Sequence, residues 1–299
     1  LTRISRPFIT VMKEAPIIPR RKIGFQTHVG KEFSGALLIV MLLLLTFTFV
    51  LPSPMSTYPR VFDHAYSPVT IAAGSMPIKP SETVTDWFYA LNWMRNNESV
   101  KVVASWWDYG YWITIIGNKT TLADNGTLNM TQIEHIAWMF LSDETGAIDI
   151  LKKFESPLQG PVTHVLIFMT FDYYYGSSNY TGWGEENKWR WMARISKIWT
   201  NKTDTDFRNI TTDPDTGQTT DYGFNDLGKS TVIYKMLSTL KYDVSSSFTS
   251  QNEDIKQLSD DSKQEFEKHF QLVYNSYWDS KRYYGYYYGV VGIFKVNYN

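Results

Sequence analysis

Two tryptophans and a carboxylate stand next to one another at Trp106, Trp107 and Asp108. An indole N–H only donates a hydrogen bond and an ionised aspartate only accepts one, whereas a hydroxyl does both. A pocket built from these three side chains would therefore suit a small alcohol such as the side chain of serine or threonine. It would reject a ligand without the hydroxyl by up to about 10⁴-fold, because its polar groups would be left unpaired. The plain structural alternative is a pair of core tryptophans beside a capping aspartate.

The neighbouring sequence indicates how these side chains are positioned. Residues 101–104 are mostly apolar and β-branched, which predicts a short buried strand. Gly110 indicates a turn or a close backbone approach just beyond the carboxylate. The three side chains are thus expected at the end of a strand, where loops commonly carry function.

Apolar periodicity predicts several further elements along the chain. Helices are predicted over residues 86–94, 131–141, 144–154, 187–199 and 262–274, and strands over 162–170 and 286–296. This alternation predicts a mixed α/β domain with a partly parallel sheet. Residues 213–217 predict a plain turn, because the other ligands of a calcium loop are missing.

The amino-terminal region has the pattern of a membrane anchor. Residues 1–32 are rich in lysine and arginine, and residues 33–52 carry no charge and are almost entirely apolar. Such a run matches the thickness of a bilayer's hydrocarbon core, and it is too long for the apolar region of a cleaved signal peptide. Because basic flanks stay in the cytoplasm, we expect 1–32 to be a cytoplasmic segment, 33–52 a single transmembrane helix and 53–299 an extracytoplasmic α/β domain at the cell membrane.

Asn-X-Ser/Thr triplets support this orientation. Seven glycosylation candidates lie beyond the apolar run, at Asn97, Asn118, Asn125, Asn129, Asn179, Asn201 and Asn209. Such triplets are acceptors only in exported, surface positions. A net charge of −1 gives no reason to expect nucleic-acid binding, and a chain without cysteine has neither disulfides nor thiol chemistry.

The segment Trp106-Trp107-Asp108-Tyr109-Gly110 resembles the five-residue signature of the oligosaccharyltransferase catalytic subunit, in its archaeal and eukaryotic form. The likeness continues through residues 120–127 and 129–131. That enzyme transfers an oligosaccharide from a lipid carrier to the asparagine of Asn-X-Ser/Thr. The resemblance implies that this segment binds the acceptor, with Trp106, Trp107 and Asp108 holding its serine or threonine hydroxyl.

A second stretch is similar to another short motif of the same family. Asp226, Lys229 and Ile233 follow the pattern Asp-X-X-Lys-X-X-X-Ile, and on one helix this spacing would put them on a single face. The resemblance implies that Ile233 contacts the threonine methyl group while Asp226 and Lys229 shape the wall. Taken alone, the same spacing describes an exposed ion pair beside a core isoleucine.

The resemblance also implies what this chain does not carry. The family's catalytic carboxylates and divalent metal, Mg²⁺ or Mn²⁺, belong to a large region with many membrane spans. We therefore expect no catalytic residue and no metal ligand in this chain, which would be the carboxy-terminal part of the enzyme. Its implied partners are acceptor polypeptides with Asn-X-Ser/Thr and a lipid-linked oligosaccharide of the dolichol type.

Two other functions remain open from the residues alone. The single span, the triplets and the many aromatic residues would also fit a non-catalytic, membrane-anchored surface protein that binds glycans. A glycoside hydrolase would need a second carboxyl group within about 10 Å of Asp108. Glu185 and Glu186 are the candidates for that group, although no sequence spacing supports either.

Overall fold

The protein is described here as a computed structural model. It covers the following parts of the chain: residues 34–52, 60–61, 85–155, 160–174, 177–180, 184–244, 255–280 and 287–298. Contacts divide the chain into two units, Leu1–Tyr66 and Ser67–Asn299. All the residues predicted to bind the acceptor belong to the second unit.

In the first unit, residues 34–45 are α-helical and Thr46–Val50 continue them as a π-helical turn. Leu51 is extended, with φ −72° and ψ 137°, because the ring of Pro52 disfavours a helical conformation in the preceding residue. Over the described parts of the chain, we find no helix with both the length and the apolar character needed to span a bilayer. The transmembrane helix over residues 33–52 therefore stays a prediction.

The second unit contains nine α-helices and eight strands among its described residues. The helices are α1 Thr85–Asn96, α2 Gly110–Ile115, α3 Met130–Leu141, α4 Glu144–Lys152, α5 Glu185–Thr200, α6 Asp226–Ser230, α7 Val232–Val244, α8 Asp260–His269 and α9 Tyr277–Ser280. The strands are β1 Val102–Ala104, β2 Thr120–Thr121, β3 His164–Tyr174, β4 Ser177–Tyr180, β5 Arg208–Thr212, β6 Thr219–Phe224, β7 Phe270–Asn275 and β8 Tyr287–Val296.

The main sheet is mixed, as the alternation of strands and helices predicts. Its order is β2-β1-β3-β8-β7, with β4 paired to β3. β1 runs parallel to both β2 and β3, whereas β8 is antiparallel to β3 and β7. Residues 165–169 of β3 are completely buried, because helices cover the sheet and β1 and β8 flank this strand. A continuous apolar run is typical of such a central strand. The mixed α/β fold is thus confirmed.

Two sequence predictions are wrong in detail. The helix predicted over 262–274 ends at His269, because the chain then pairs with β8 as strand β7. The single helix implied for Asp226, Lys229 and Ile233 is broken at Thr231, which is extended with ψ 146°. The Thr231 hydroxyl donates to the carbonyl of Gly228 at 2.7 Å and accepts from the N–H of Tyr234 at 3.3 Å, so it joins the two helix ends.

The polar stretch around residues 213–217 forms the predicted turn. This turn is the tip of a β-hairpin that no sequence pattern predicts. Strands β5 and β6 make a separate two-stranded sheet. The Arg208 guanidinium holds the base of the hairpin through Asp221, with contacts of 2.9 Å. The outer residues of both strands are exposed on both faces, which explains why no apolar alternation marks the hairpin in the sequence.

Candidate acceptor-binding site

The predicted hydroxyl-binding residues lie where β1 leaves the sheet. Trp106 is extended, and residues Trp107–Tyr109 form one turn of 3₁₀ helix that leads directly into α2. Gly110 marks the close backbone approach predicted for it, because a Cβ atom there would lie 2.3 Å from the carbonyl oxygen of Ala123. Any larger residue would push the loop away from residues 123–124, so this position requires glycine.

Most of this motif is buried. Trp106 and Asp108 are 4% and 3% exposed, and Tyr109 is 1% exposed. Trp107 is only partly buried and packs near Trp106 with 6.3 Å between ring centroids. Among these four residues, Trp107 is therefore the one through which the motif reaches the surface.

Asp108 has one occupied and one unoccupied carboxylate oxygen. Its Oδ2 accepts a hydrogen bond from Lys188 Nζ at 2.7 Å, in an ion pair that is almost completely buried. Its Oδ1 is buried and has no hydrogen-bond partner. A buried acceptor without a partner is costly in a folded protein and calls for an explanation such as a ligand.

The Lys188 ammonium also donates to the Tyr109 hydroxyl at 2.6 Å, so it joins two residues of the motif. That hydroxyl lies beside the carboxyl group of Glu185, whose Oε2 accepts from the N–H of Phe168. The other oxygen of Glu185, Oε1, is buried without a hydrogen-bond partner. Asp108, Tyr109, Glu185 and Lys188 thus form one buried group, hereafter the Asp108–Lys188 cluster.

Burial controls the protonation of this cluster. It raises the pKa of Asp108, and the positive charge of Lys188 opposes that rise. Burial likewise raises the pKa of Glu185 to about 8, with Lys188 again opposing and the charge of Asp108 adding to the rise. The pKa of Tyr109 lies well above its ordinary value, mainly because of burial and then because of Glu185. Since Asp108 is the carboxylate that Lys188 contacts directly, we assign the negative charge to Asp108 and a proton to Glu185 at neutral pH.

The side chain of Asn125 holds the motif through two hydrogen bonds. Its Nδ2 donates to the main-chain carbonyl of Asp108 at 3.0 Å, and its Oδ1 accepts from the N–H of Tyr111 at 3.4 Å. The sequence alone indicates Asn125 only as a glycosylation candidate. Its second role depends on a contact across 17 positions, which no local pattern indicates.

The other predicted site residues are arranged differently. Asp226 and Lys229 form a long ion pair of 3.7 Å on the surface of α6, and the Asp226 side chain is fully exposed. Ile233 lies on α7 and is completely buried. The cation that the structure brings to Asp108 is Lys188 and not Lys229.

Lys188 was not among the predicted site residues, although a signal for it exists. Glu185, Lys188 and Met192 repeat the acid-X-X-Lys-X-X-X-apolar spacing, with glutamate and methionine in place of aspartate and isoleucine. All three lie on the uninterrupted helix α5 and all three are buried. Allowing glutamate at the first position and methionine at the last extends the pattern to residues 185–192.

The structure also shows what Glu185 and Glu186, the two candidate partners of Asp108 in a glycoside hydrolase, contact. Asp108 is close enough to Glu185 for its charge to raise the pKa of Glu185, so the proximity criterion does not exclude the pair. However, Asp108 is already paired with Lys188. Glu186 accepts bonds from Thr170 and from the N–H of Gly184, and these contacts hold the start of α5 against β3.

The glycosylation candidates are distributed over the surface of the second unit. Asn118, Asn129, Asn201 and Asn209 are exposed, Asn97 and Asn125 are partly buried, and the side chain of Asn179 lies outside the described residues. Over the described ranges, no three histidine, aspartate or glutamate side chains converge on a metal site. The Mg²⁺ or Mn²⁺ ion that the resemblance implies would need ligands other than these.

The region around this site is similar to known proteins. Residues 99–157 match the STT3/PglB/AglB core domain. The dolichyl-diphosphooligosaccharide–protein glycosyltransferase subunit STT3 of Saccharomyces cerevisiae is 32% identical over 151 residues, which cover 48% of this chain and 19% of that protein. Subunit STT3B of Arabidopsis thaliana is 35% identical over 113 residues, or 37% of this chain and 14% of that protein.

One solved structure that is similar to this chain is the C-terminal globular domain of an oligosaccharyltransferase from Archaeoglobus fulgidus. It aligns with 72% of this chain and 99% of its own length, at 20% identity and a TM-score of 0.38. This chain covers no more than about a fifth of the two relatives from yeast and Arabidopsis. The region that matches the STT3/PglB/AglB core domain contains the whole segment Trp106–Gly110.

Proposed function

We propose that this chain is the carboxy-terminal part of an oligosaccharyltransferase catalytic subunit. The complete enzyme would transfer an oligosaccharide from a dolichol-type lipid carrier to the asparagine of Asn-X-Ser/Thr. This chain would contribute acceptor recognition, while the catalytic carboxylates and the Mg²⁺ or Mn²⁺ ion would belong to another part of the protein. The match of residues 99–157 to the core domain supports this assignment.

The observation that carries the proposal is the unpartnered Oδ1 of Asp108. In our proposal it accepts the hydrogen bond of the acceptor's serine or threonine hydroxyl, and an indole N–H of Trp106 or Trp107 donates to the same hydroxyl. Lys188 is the positioning residue, because it holds Oδ2 at 2.7 Å and thereby keeps the carboxylate ionised and oriented. The hydroxyl would reach Asp108 past the partly exposed Trp107.

This arrangement would explain specificity for a hydroxyl amino acid. An alanine in place of serine or threonine would leave Oδ1 buried and unpaired, as it is without ligand. Sites that are built to hydrogen-bond a hydroxyl reject the analogue that lacks it by up to about 10⁴-fold. A pocket selecting only for shape would discriminate far less.

We further propose the orientation that the sequence pattern indicates. Residues 1–32 would be cytoplasmic, 33–52 would span the cell membrane and 53–299 would form the extracytoplasmic acceptor-recognition domain. The basic charge of the first segment and the location of all seven triplets after residue 52 support this orientation.

The test is Asp108→Ala in the full-length enzyme, assayed with one peptide containing Asn-X-Thr and one containing Asn-X-Ala. We expect glycosylation of the threonine peptide to fall by about 100-fold or more, toward the level of the alanine peptide. Asp149→Ala is the matched control, since this carboxylate is exposed on α4. Normal turnover of the threonine peptide by the Asp108 variant would refute the assignment of the pocket.

A further inference from the structure

A groove of about 400 Å³ lies on the outer side of α1, next to α9. It is lined by Tyr89, Asn92, Trp93, Asn96, Asn97, Glu98 and Asp279. The opposite face of the same helix packs against the segment Trp106–Gly110, where Trp87 contacts Tyr109 with 4.7 Å between ring centroids. Helix α1 therefore separates the groove from the Asp108–Lys188 cluster.

The lining combines two chemical types. Three amides and two carboxylates supply donors and acceptors, and two aromatic rings supply apolar faces. Sugars need both, because their hydroxyl groups donate and accept hydrogen bonds while their C–H faces pack on aromatic rings. None of the described lining residues is a lysine or arginine, so the groove offers no charge partner for a phosphate or a carboxylate.

Several of these side chains are already held in place. Trp93 stacks on Tyr274 with 4.9 Å between centroids and 24° between planes. The Tyr274 hydroxyl donates to Asp279, and Asn96 Nδ2 donates to the Oδ1 of Asn92 at 3.2 Å. A ligand would thus meet an ordered wall and would lose little affinity to the ordering of side chains.

We propose that this groove binds an uncharged saccharide, with a pyranose ring against Trp93 and Tyr89 and its hydroxyl groups on Asn92, Asn96 and Asp279. The proposal stands apart from the assignment of the acceptor pocket. It rests on the groove's own residues, and it holds whether or not Asp108 binds a threonine.

The saccharide could come from two sources. Asn97 is itself in the groove and begins an Asn-Glu-Ser triplet, so a glycan attached there could fold back onto Trp93. In the unmodified chain its Oδ1 accepts from the N–H and the hydroxyl of Ser99, at 3.0 Å and 2.7 Å. The other source is an oligosaccharide on a separate molecule.

The test uses the full chain produced in a host that does not attach N-glycans. Cellobiose, maltose and N,N′-diacetylchitobiose are titrated as uncharged probes, and glucose 6-phosphate is the charged comparison. Binding is followed by saturation-transfer NMR and tryptophan fluorescence. We expect saturable binding of at least one disaccharide, with a Kd of the order of 1 mM, and no binding of the phosphate.

Two variants keep the test informative. Trp93→Ala and Asn92→Ala should each weaken binding by about tenfold, and Asn92 is exposed, so its variant should fold normally. Trp191→Ala is the control, since this tryptophan is 58% exposed on α5 and does not line the groove. The absence of saturable binding, or an equal loss in the Trp191 variant, would overturn the proposal.

Repeating the titration on protein glycosylated at Asn97 distinguishes the two sources. If the attached glycan fills the groove, free disaccharide will no longer bind, and Ser99→Ala made in the same host will restore binding, because it removes the triplet without changing a lining residue. If free disaccharide binds both forms equally, the ligand is a separate molecule.

Discussion

Two acid–lysine pairs in this protein have very different physical settings, although both lysines belong to the same acid-X-X-Lys-X-X-X-apolar spacing. Asp108 and Lys188 meet at 2.7 Å with side chains 3% and 11% exposed, whereas Asp226 and Lys229 meet at 3.7 Å on the surface of a five-residue helix. The first pair joins residues 80 positions apart, and the second joins neighbours on one turn. The comparison teaches that a shared local spacing does not determine which acid a lysine contacts, and that burial determines whether the pairing has consequences.

The two pairs should therefore contribute very differently to the stability of the fold. Removing one partner of a buried pair leaves an uncompensated charge away from water, which strongly lowers the free energy of unfolding. An exposed pair exchanges its partner for water at almost no cost. The variants below test the contrast between the Asp108–Lys188 cluster and the surface pair.

The largest effect is expected from Lys188→Met. We expect a loss of about 3–5 kcal/mol in the free energy of unfolding, because Asp108 would keep its burial and lose its cation. Urea denaturation of the full chain measures this. The matched control is Lys229→Met, for which we expect no measurable change. Equal losses in the two variants would contradict the contrast.

A double variant separates lost charge from lost packing. Asp108→Asn combined with Lys188→Met should recover part of the stability that Lys188→Met loses, because no charge is then left unpaired. If the two single losses simply add, the ion pair is not the source of the effect.

Glu185→Gln should change the pH dependence of stability. Since the pKa of Glu185 rises from 4.5 to about 8 in the fold, the native state holds a proton in this range that the unfolded chain has lost. The free energy of unfolding of the wild type should therefore fall as pH rises from about 4.5 to about 8, by a few kcal/mol in total.

Urea denaturation at several pH values tests this prediction. The advantage of Glu185→Gln over the wild type should grow across that interval and stay constant above it. Glu267→Gln, on the exposed face of α8, should run parallel to the wild type. A constant difference for Glu185→Gln at every pH would show that this carboxyl group is not held protonated.

Tyr109→Phe removes the hydroxyl that accepts from Lys188 at 2.6 Å. We expect a loss of about 1.5–3 kcal/mol, which is typical for a hydrogen bond to a charged group. Tyr222→Phe on the exposed hairpin is the control and should leave the unfolding midpoint unchanged, since this side chain is 68% exposed. A loss of similar size in both variants would mean that the hydroxyl does not stabilise the cluster.

The smallest effect is expected at the break between the two helices. Thr231→Ala removes the hydroxyl that caps α7, which should cost about 1 kcal/mol. Thermal unfolding monitored by circular dichroism measures this, with Ser230→Ala as the control. No loss would indicate that packing of Val232 and its neighbours maintains the break without the cap.

The parts of the fold that follow local rules could be predicted from the sequence. The strand before Trp106, the helices on either side of Ser142 and the central strand β3 all carry apolar patterns that match their burial. The motif itself was located at the end of β1, as its short apolar run implied. These predictions needed only periodicity and the conformational preferences of single residues.

The remainder depended on contacts between distant segments. The change from helix to strand at Phe270 follows from pairing with β8, which no local pattern shows. The choice between Lys188 and Lys229 required knowing that α5 packs on β3 while α6 lies on the surface. The residues at Asp226, Lys229 and Ile233 agree with the family pattern in type as well as in spacing. Nevertheless, it is the segment beginning at Glu185 that lies beside Trp106–Gly110.

Asn125 begins an Asn-Gly-Thr triplet, but its amide nitrogen is engaged by the carbonyl oxygen of Asp108 at 3.0 Å. A sugar attached to that nitrogen would have to displace this bond and loosen the loop that our proposal assigns to acceptor recognition. In a complete enzyme of the kind we propose, this hydrogen bond would therefore protect Asn125 from glycosylation by the enzyme itself.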